Sequence, residues 1–89
     1  MLAREFYVVT FDSTHKAIKT EKITKEKLDV ELIPTPREIS ASCGLSLKFK
    51  EEEIDQLMEL LRETDKDGMV IYHIKRVTEG KLVTQIGWR

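Results

Sequence analysis

The side chain best equipped for covalent chemistry is Cys43, the one cysteine among 89 residues. A thiolate is a strong nucleophile, and it is favoured beside helix N-termini and cationic groups. Arg37 lies a short way upstream, and Gly44, next in the chain, would permit a close backbone approach or an unusual φ. His15 adds an imidazole that reads either as a base or imidazolium partner or as a solvated residue of a helix's first turn. Cysteine is also a small buried hydrophobe, and a register shared with Leu45 and Leu47 would turn Cys43 into the core. Both readings of the thiol stand at this level.

A lone cysteine excludes a disulfide framework, a four-thiolate zinc site and a two-cysteine redox pair within one chain. No His, Cys or carboxylate cluster has metal spacing, so no metal or cofactor is expected, and His73 reads as an ordinary strand residue. The run Asp65-Lys66-Asp67-Gly68 resembles part of a calcium loop, but the twelfth position then falls on Ile74 where a bidentate Glu is required. It reads as a turn. A formal charge of −1, and the lack of a phosphate-cradling glycine loop or an RNA-recognition aromatic run, give no reason to expect nucleic acid. Residues 50 to 67 hold three cations against eight carboxylates, and residues 12 to 27 five lysines against three carboxylates; both read as solvated helix faces. With no secretory leader and no apolar run near the roughly 20 residues of a membrane span, a reducing cytoplasm is expected.

The elements that must position Cys43 follow from periodicity. A composition of 40% hydrophobic and 35% charged residues describes a folded chain, and its length suits a single domain over 1–89 with a thin core. Glu5 to Phe11 is almost unbroken in β-branched and aromatic types, as in a central strand, and Asp12-Ser13-Thr14 offers helix N-caps. The helix that follows, carrying Ala17, Ile18 and Leu28, is weakly amphipathic. A second strand over Asp29 to Ile33 should end at Pro34-Thr35-Pro36, because proline has no N–H for a ladder. Cys43, Leu45, Leu47 and Phe49 alternate as a third strand with the cysteine at its mouth. Glu51-Glu52-Glu53 opens a second helix, on which Ile54, Leu57, Met58 and Leu61 form an apolar stripe. Met69 to Val77 and Lys81 to Ile86 read as strands joined by a turn at Thr78-Glu79-Gly80.

The order suits an α+β fold, a ferredoxin-like βαββαβ sandwich over residues 5–77 with an extra C-terminal β-hairpin strand over 78–89. That topology would bring the first helix's start, the loop from Pro34 to Cys43 and the turn from Asp65 to Gly68 to one rim. Asp12, Ser13, His15, Arg37 and Cys43 would then meet. One sheet face would stay open, carrying either Phe6 and Val8 or Tyr7, Val9 and Phe11.

The stretch Leu32-Ile33-Pro34-Thr35-Pro36-Arg37-Glu38-Ile39-Ser40-Ala41-Ser42-Cys43-Gly44-Leu45, with Phe11-Asp12-Ser13-Thr14-His15 and Glu21-Lys22, resembles the putative selenium/sulfur carrier protein-like family. The resemblance covers roughly residues 5 to 65; the hairpin through Trp88 lies outside it. It implies a bacterial cytoplasmic protein, long described as a domain of unknown function, whose cysteine, here Cys43, holds a sulfur or selenium atom. Under that implication the chain is a carrier rather than a catalyst. A donor of the cysteine desulfurase or selenocysteine lyase type would load Cys43 as a persulfide or selenopersulfide, and an acceptor protein would unload it. Arg37 and the helix N-terminus near Ser13 and Thr14 would stabilise the anion, with His15 as proton partner. Ser40 and Ser42 would offer hydroxyls, Pro34 and Pro36 would stiffen the loop around Thr35, and Gly44 would present the thiol. A lone thiol suits the task, since a second cysteine would discharge a persulfide as a disulfide. The rival is a non-catalytic binding or regulatory module in which the open sheet face and the hairpin with Trp88 dock a partner or a second copy, a homodimer covering the face.

Overall fold

The computed structural model describes residues 5–39, 41 and 43–88. In chain order these form β1 (Glu5–Thr10), α1 (Thr14–Lys25), β2 (Glu31–Pro34), β3 (Leu45–Phe49), a 3₁₀ turn (Glu51–Glu53), α2 (Ile54–Leu60), β4 (Val70–Val77) and β5 (Gly80–Ile86). The architecture is α+β: a five-stranded antiparallel sheet in the order β2-β3-β1-β4-β5 with two helices. β1 is the central strand, flanked by β3 and β4, and its alternating side chains are buried on both faces.

Tyr7, Val9 and Phe11 join Leu47, Phe49 and Ile71 in a core closed by Ala17 of α1 and by Leu57 and Leu61. Tyr7 pairs with Phe49 in the β1–β3 register, and their rings stack with centroids 5.5 Å apart. Phe6, Val8 and Ile74 form a second cluster on the opposite face. This face was expected to be open, and the structure corrects that: Ile39, from the loop after β2, packs onto it and leaves Val8 and Ile74 with no exposed surface. A bare apolar face here would cost about 25 cal/mol for each Å² left in water, so the loop is drawn across it.

α1 is N-capped by Ser13, whose hydroxyl accepts the Lys16 amide at 3.2 Å, and Lys22 and Lys25 in the last turn suit the dipole. Its inward stripe is Ala17, Thr20 and Thr24, while Ile18 is turned outward. The small side chains let the helix lie close on the sheet, and the Thr24 hydroxyl is satisfied by donating to the Thr20 carbonyl at 2.9 Å. α2 is shorter than its apolar stripe suggested, ending at Leu60 with Leu61 fully buried just beyond. Lys66 closes that end, its ammonium donating to the carbonyls of Leu61, Arg62 and Thr64.

One further expectation is corrected. Pro34 does not stop the ladder: it pairs with Leu45, and Thr35 N–H continues the pairing to the Gly44 carbonyl at 2.9 Å. Thr35 and Gly44 form a hydrogen-bonded pair, so by alternation Pro34 sits at a non-bonded position on an edge strand, where its missing N–H costs nothing. Trp88 is anchored within its own chain. It packs against the helix-side core, donates its indole N–H to the Met69 carbonyl at 3.0 Å and lies under the Lys66 ammonium.

Candidate functional site around Cys43

Cys43 lies in a bend just ahead of β3, held at every polar atom. Its N–H donates to the Phe11 carbonyl at 3.2 Å, two residues out of the β1–β3 register, and its carbonyl accepts the Thr35 hydroxyl at 3.1 Å. The sulfur accepts the Leu45 N–H at 3.4 Å and lies 3.5 Å from the Thr14 Oγ1. Thr14 is the first residue of α1, so the thiol sits at the positive end of a twelve-residue helix. The Cys43 residue is 4% exposed and belongs to the helix-side core. The two readings of this cysteine therefore meet: it is packed like a core residue, yet its sulfur faces an amide donor, a hydroxyl and a helix N-terminus.

The Thr35 hydroxyl carries one proton. Since that proton goes to the Cys43 carbonyl, the 2.7 Å contact between Thr35 Oγ1 and Ser46 Oγ must be a donation from Ser46. Ser46 has no exposed surface. Sequence reasoning missed it because a serine opposite the apolar face of a strand reads as solvent-facing, and here the strand is covered on both sides. The Thr14–Cys43 contact had a signal in the N-cap run Asp12-Ser13-Thr14, which fixes where the helix begins.

Start of α1, Cys43 and the turn after α2 do come together. Asp12 packs against Gly68, and the Lys16 ammonium, 3.7 Å from the Asp12 carboxylate, also donates to the Asp67 carbonyl. The other proposed residues sit elsewhere. Arg37, Pro34 and Pro36 line a cleft with Phe6, on the face of the sheet away from Cys43; Thr35 borders the same cleft, but its hydroxyl reaches the Cys43 carbonyl. His15 is exposed, and among the described residues no hydrogen bond or ion pair joins it to Cys43. Ser40 and Ser42 lie outside the described residues. Gly44, in the bend just ahead of β3, has neither a positive φ nor a close neighbour; a Cβ there would meet nothing within 4 Å.

Among the described residues no group of three or more His, Cys, Asp or Glu side chains is placed to hold a metal, and no helix is long and apolar enough to cross a membrane. No curated protein and no solved structure matches the chain. The model of one family does match, over residues 6–73, which takes in β1 through the first half of β4 with Cys43 and its supporting loop; the chain is a member of the family described as putative Se/S carrier protein-like.

Proposed function

We propose that the chain carries a sulfur or selenium atom on Cys43. The observation that supports this most directly is the sulfur's setting at the start of α1, where it accepts the Leu45 N–H and meets the Thr14 hydroxyl. In the loading step the Cys43 thiolate attacks the terminal sulfur of a donor's persulfide. The donor's S–S bond breaks, a Cys43 persulfide forms and the donor leaves as a thiolate; with a terminal selenium the product is the selenopersulfide. Unloading repeats the exchange with an acceptor protein. The donor would be of the cysteine desulfurase or selenocysteine lyase type, and the chemistry belongs in a reducing compartment such as the cytoplasm.

Access is the demand that the packing sets. With 4% of Cys43 exposed, a donor reaches the sulfur when the Thr14 side chain swings aside. The burial itself favours a second reading, in which Cys43 only fills the core. Intact mass spectrometry of the chain after incubation with a small persulfide separates them: the carrier reading expects one added sulfur on the wild type and none on Cys43→Ser. A folded wild type that gains sulfur only after unfolding would overturn it.

The same reading extends to the fold. With β3 between β1 and β2 and with β4 on the other side of β1, the strand order is that of a ferredoxin-like βαββαβ core, to which β5 adds a hairpin strand.

A further inference from the structure

On the sheet face opposite Cys43, a cleft of about 500 Å³ lies between the loop after β2 and the β4–β5 hairpin. That volume falls within the range of about 300–1,000 Å³ typical of small-molecule sites. Its charged lining is Arg37, Lys48, Arg76 and Lys81 with the single carboxylate of Glu38, a local charge of +3 on a chain whose formal charge is −1.

Strand register causes this convergence. Lys48 stands opposite Val8, and Arg76 stands directly opposite Lys81, which puts three cations on the face of Phe6, Val8 and Ile74. Like charges directly opposite one another destabilise an antiparallel pair. Glu38 offsets Lys81 at 3.7 Å, and the Lys48 ammonium lies 5.0 Å over the Phe6 ring rather than pairing with Glu31, its neighbour in register. Among the described residues neither Arg37 nor Arg76 has an ion pair. The lining thus carries positive charge that its own side chains do not neutralise.

We propose that this cleft binds a small organic phosphate, with a diphosphate ester as the best-matched class. A phosphate monoester carries about 1.5 to 2 negative charges at neutral pH and a diphosphate about three, the charge that the lining leaves uncompensated. Two guanidinium forks can each take a phosphate bidentately while the lysines act as point charges. Phe6 and the Pro34 and Pro36 wall give the organic part an apolar surface. Nothing in this assignment depends on Cys43.

The test is an NMR titration of the ¹⁵N-labelled full chain with ADP, pyrophosphate and citrate in turn. ADP is expected to shift the Arg37 and Arg76 side-chain N–H signals with a Kd below about 1 mM, tighter than either other anion. Arg37→Gln and Arg76→Gln, confirmed as folded by their spectra, should each weaken ADP about fivefold or more, as loss of a charge-assisted bond requires. Cys43→Ser should leave the affinity unchanged. Absence of shifts at the two arginines, binding indifferent to both glutamine variants, or pyrophosphate or citrate bound as tightly as ADP would each overturn the proposal. So would tighter binding of an acidic peptide or an oligonucleotide at the same signals.

Discussion

The Thr14 hydroxyl lies 3.5 Å from the Cys43 sulfur across a sequence separation of 29 residues, tying the start of α1 to the mouth of β3. Thr14 is itself exposed while Cys43 is buried, so this one side chain is cover as well as partner. Thr14→Ala should raise the alkylation rate of Cys43 in the folded protein more than about threefold, by lowering the cost of local opening. Stability should change by less than about 0.5 kcal/mol, as for a surface substitution. Thr14→Val, which keeps the shape, should leave the rate near that of the wild type. Thiol-reagent kinetics under native conditions measure all three, and an unchanged rate in the alanine variant would remove Thr14 as the gate.

Behind the cysteine, Thr35 links the Cys43 carbonyl to the fully buried Ser46 hydroxyl. Thr35→Val leaves both groups without that partner and should cost about 1–3 kcal/mol, the penalty for burying unsatisfied polar atoms. Ser46→Ala in the same chain removes one orphan, so the double variant should be more stable than the sum of the single losses predicts. Urea melts of the four proteins supply the cycle; strict additivity would mean that the two hydroxyls do not interact.

What the sequence disclosed and what it hid divide along a physical line. β1 was legible because its apolar types run unbroken, and the Cys43-Leu45-Leu47-Phe49 alternation placed the cysteine on the core side of β3, where it is found. The buried stripe of α1 was not, since Thr20 and Thr24 look polar until a small side chain is needed against the sheet. The fate of the second face was hidden for another reason. Ile39 sits among Arg37, Glu38 and Ser40 with no periodicity around it, and only the fold brings it onto Phe6 and Val8. Arg37 was placed with Cys43 because the expected topology brings the loop from Pro34 to Cys43 to one rim, and the same loop carries it to the opposite side of the sheet.

Gly68 turns the chain into β4 with φ +77°, and a Cβ there would come within 2.2 Å of the Asp12 carboxylate. The carboxylate ends a short flexible side chain and can move away, whereas the backbone conformation cannot relax without undoing the turn. Gly68→Ala should therefore cost about 1–2 kcal/mol, the penalty of a left-handed conformation for an L-residue. The cost should persist when Asp12 is also changed to alanine. Recovery of full stability in that double variant would show that the clash, not the backbone, dominates.

Lys50 provides the pH dependence. Its ammonium lies 3.1 Å from the Asp29 carboxylate, and that bond and its charge, with smaller help from Glu52 and Glu53, hold the lysine above its ordinary value of 10.5. A raised lysine value in the folded state means that the folded chain binds the proton more tightly than the unfolded one. The pair's contribution is therefore fully present below 10.5 and is lost as the pH rises through the folded-state value. Because both side chains are exposed, the effect is screened and small. The gap in urea midpoint between the wild type and Asp29→Asn should be constant through neutral and mildly alkaline pH. It should close as Lys50 deprotonates, and high salt should shrink it throughout. A gap that widens with rising pH would show that Asp29 acts through something other than its pairing with Lys50.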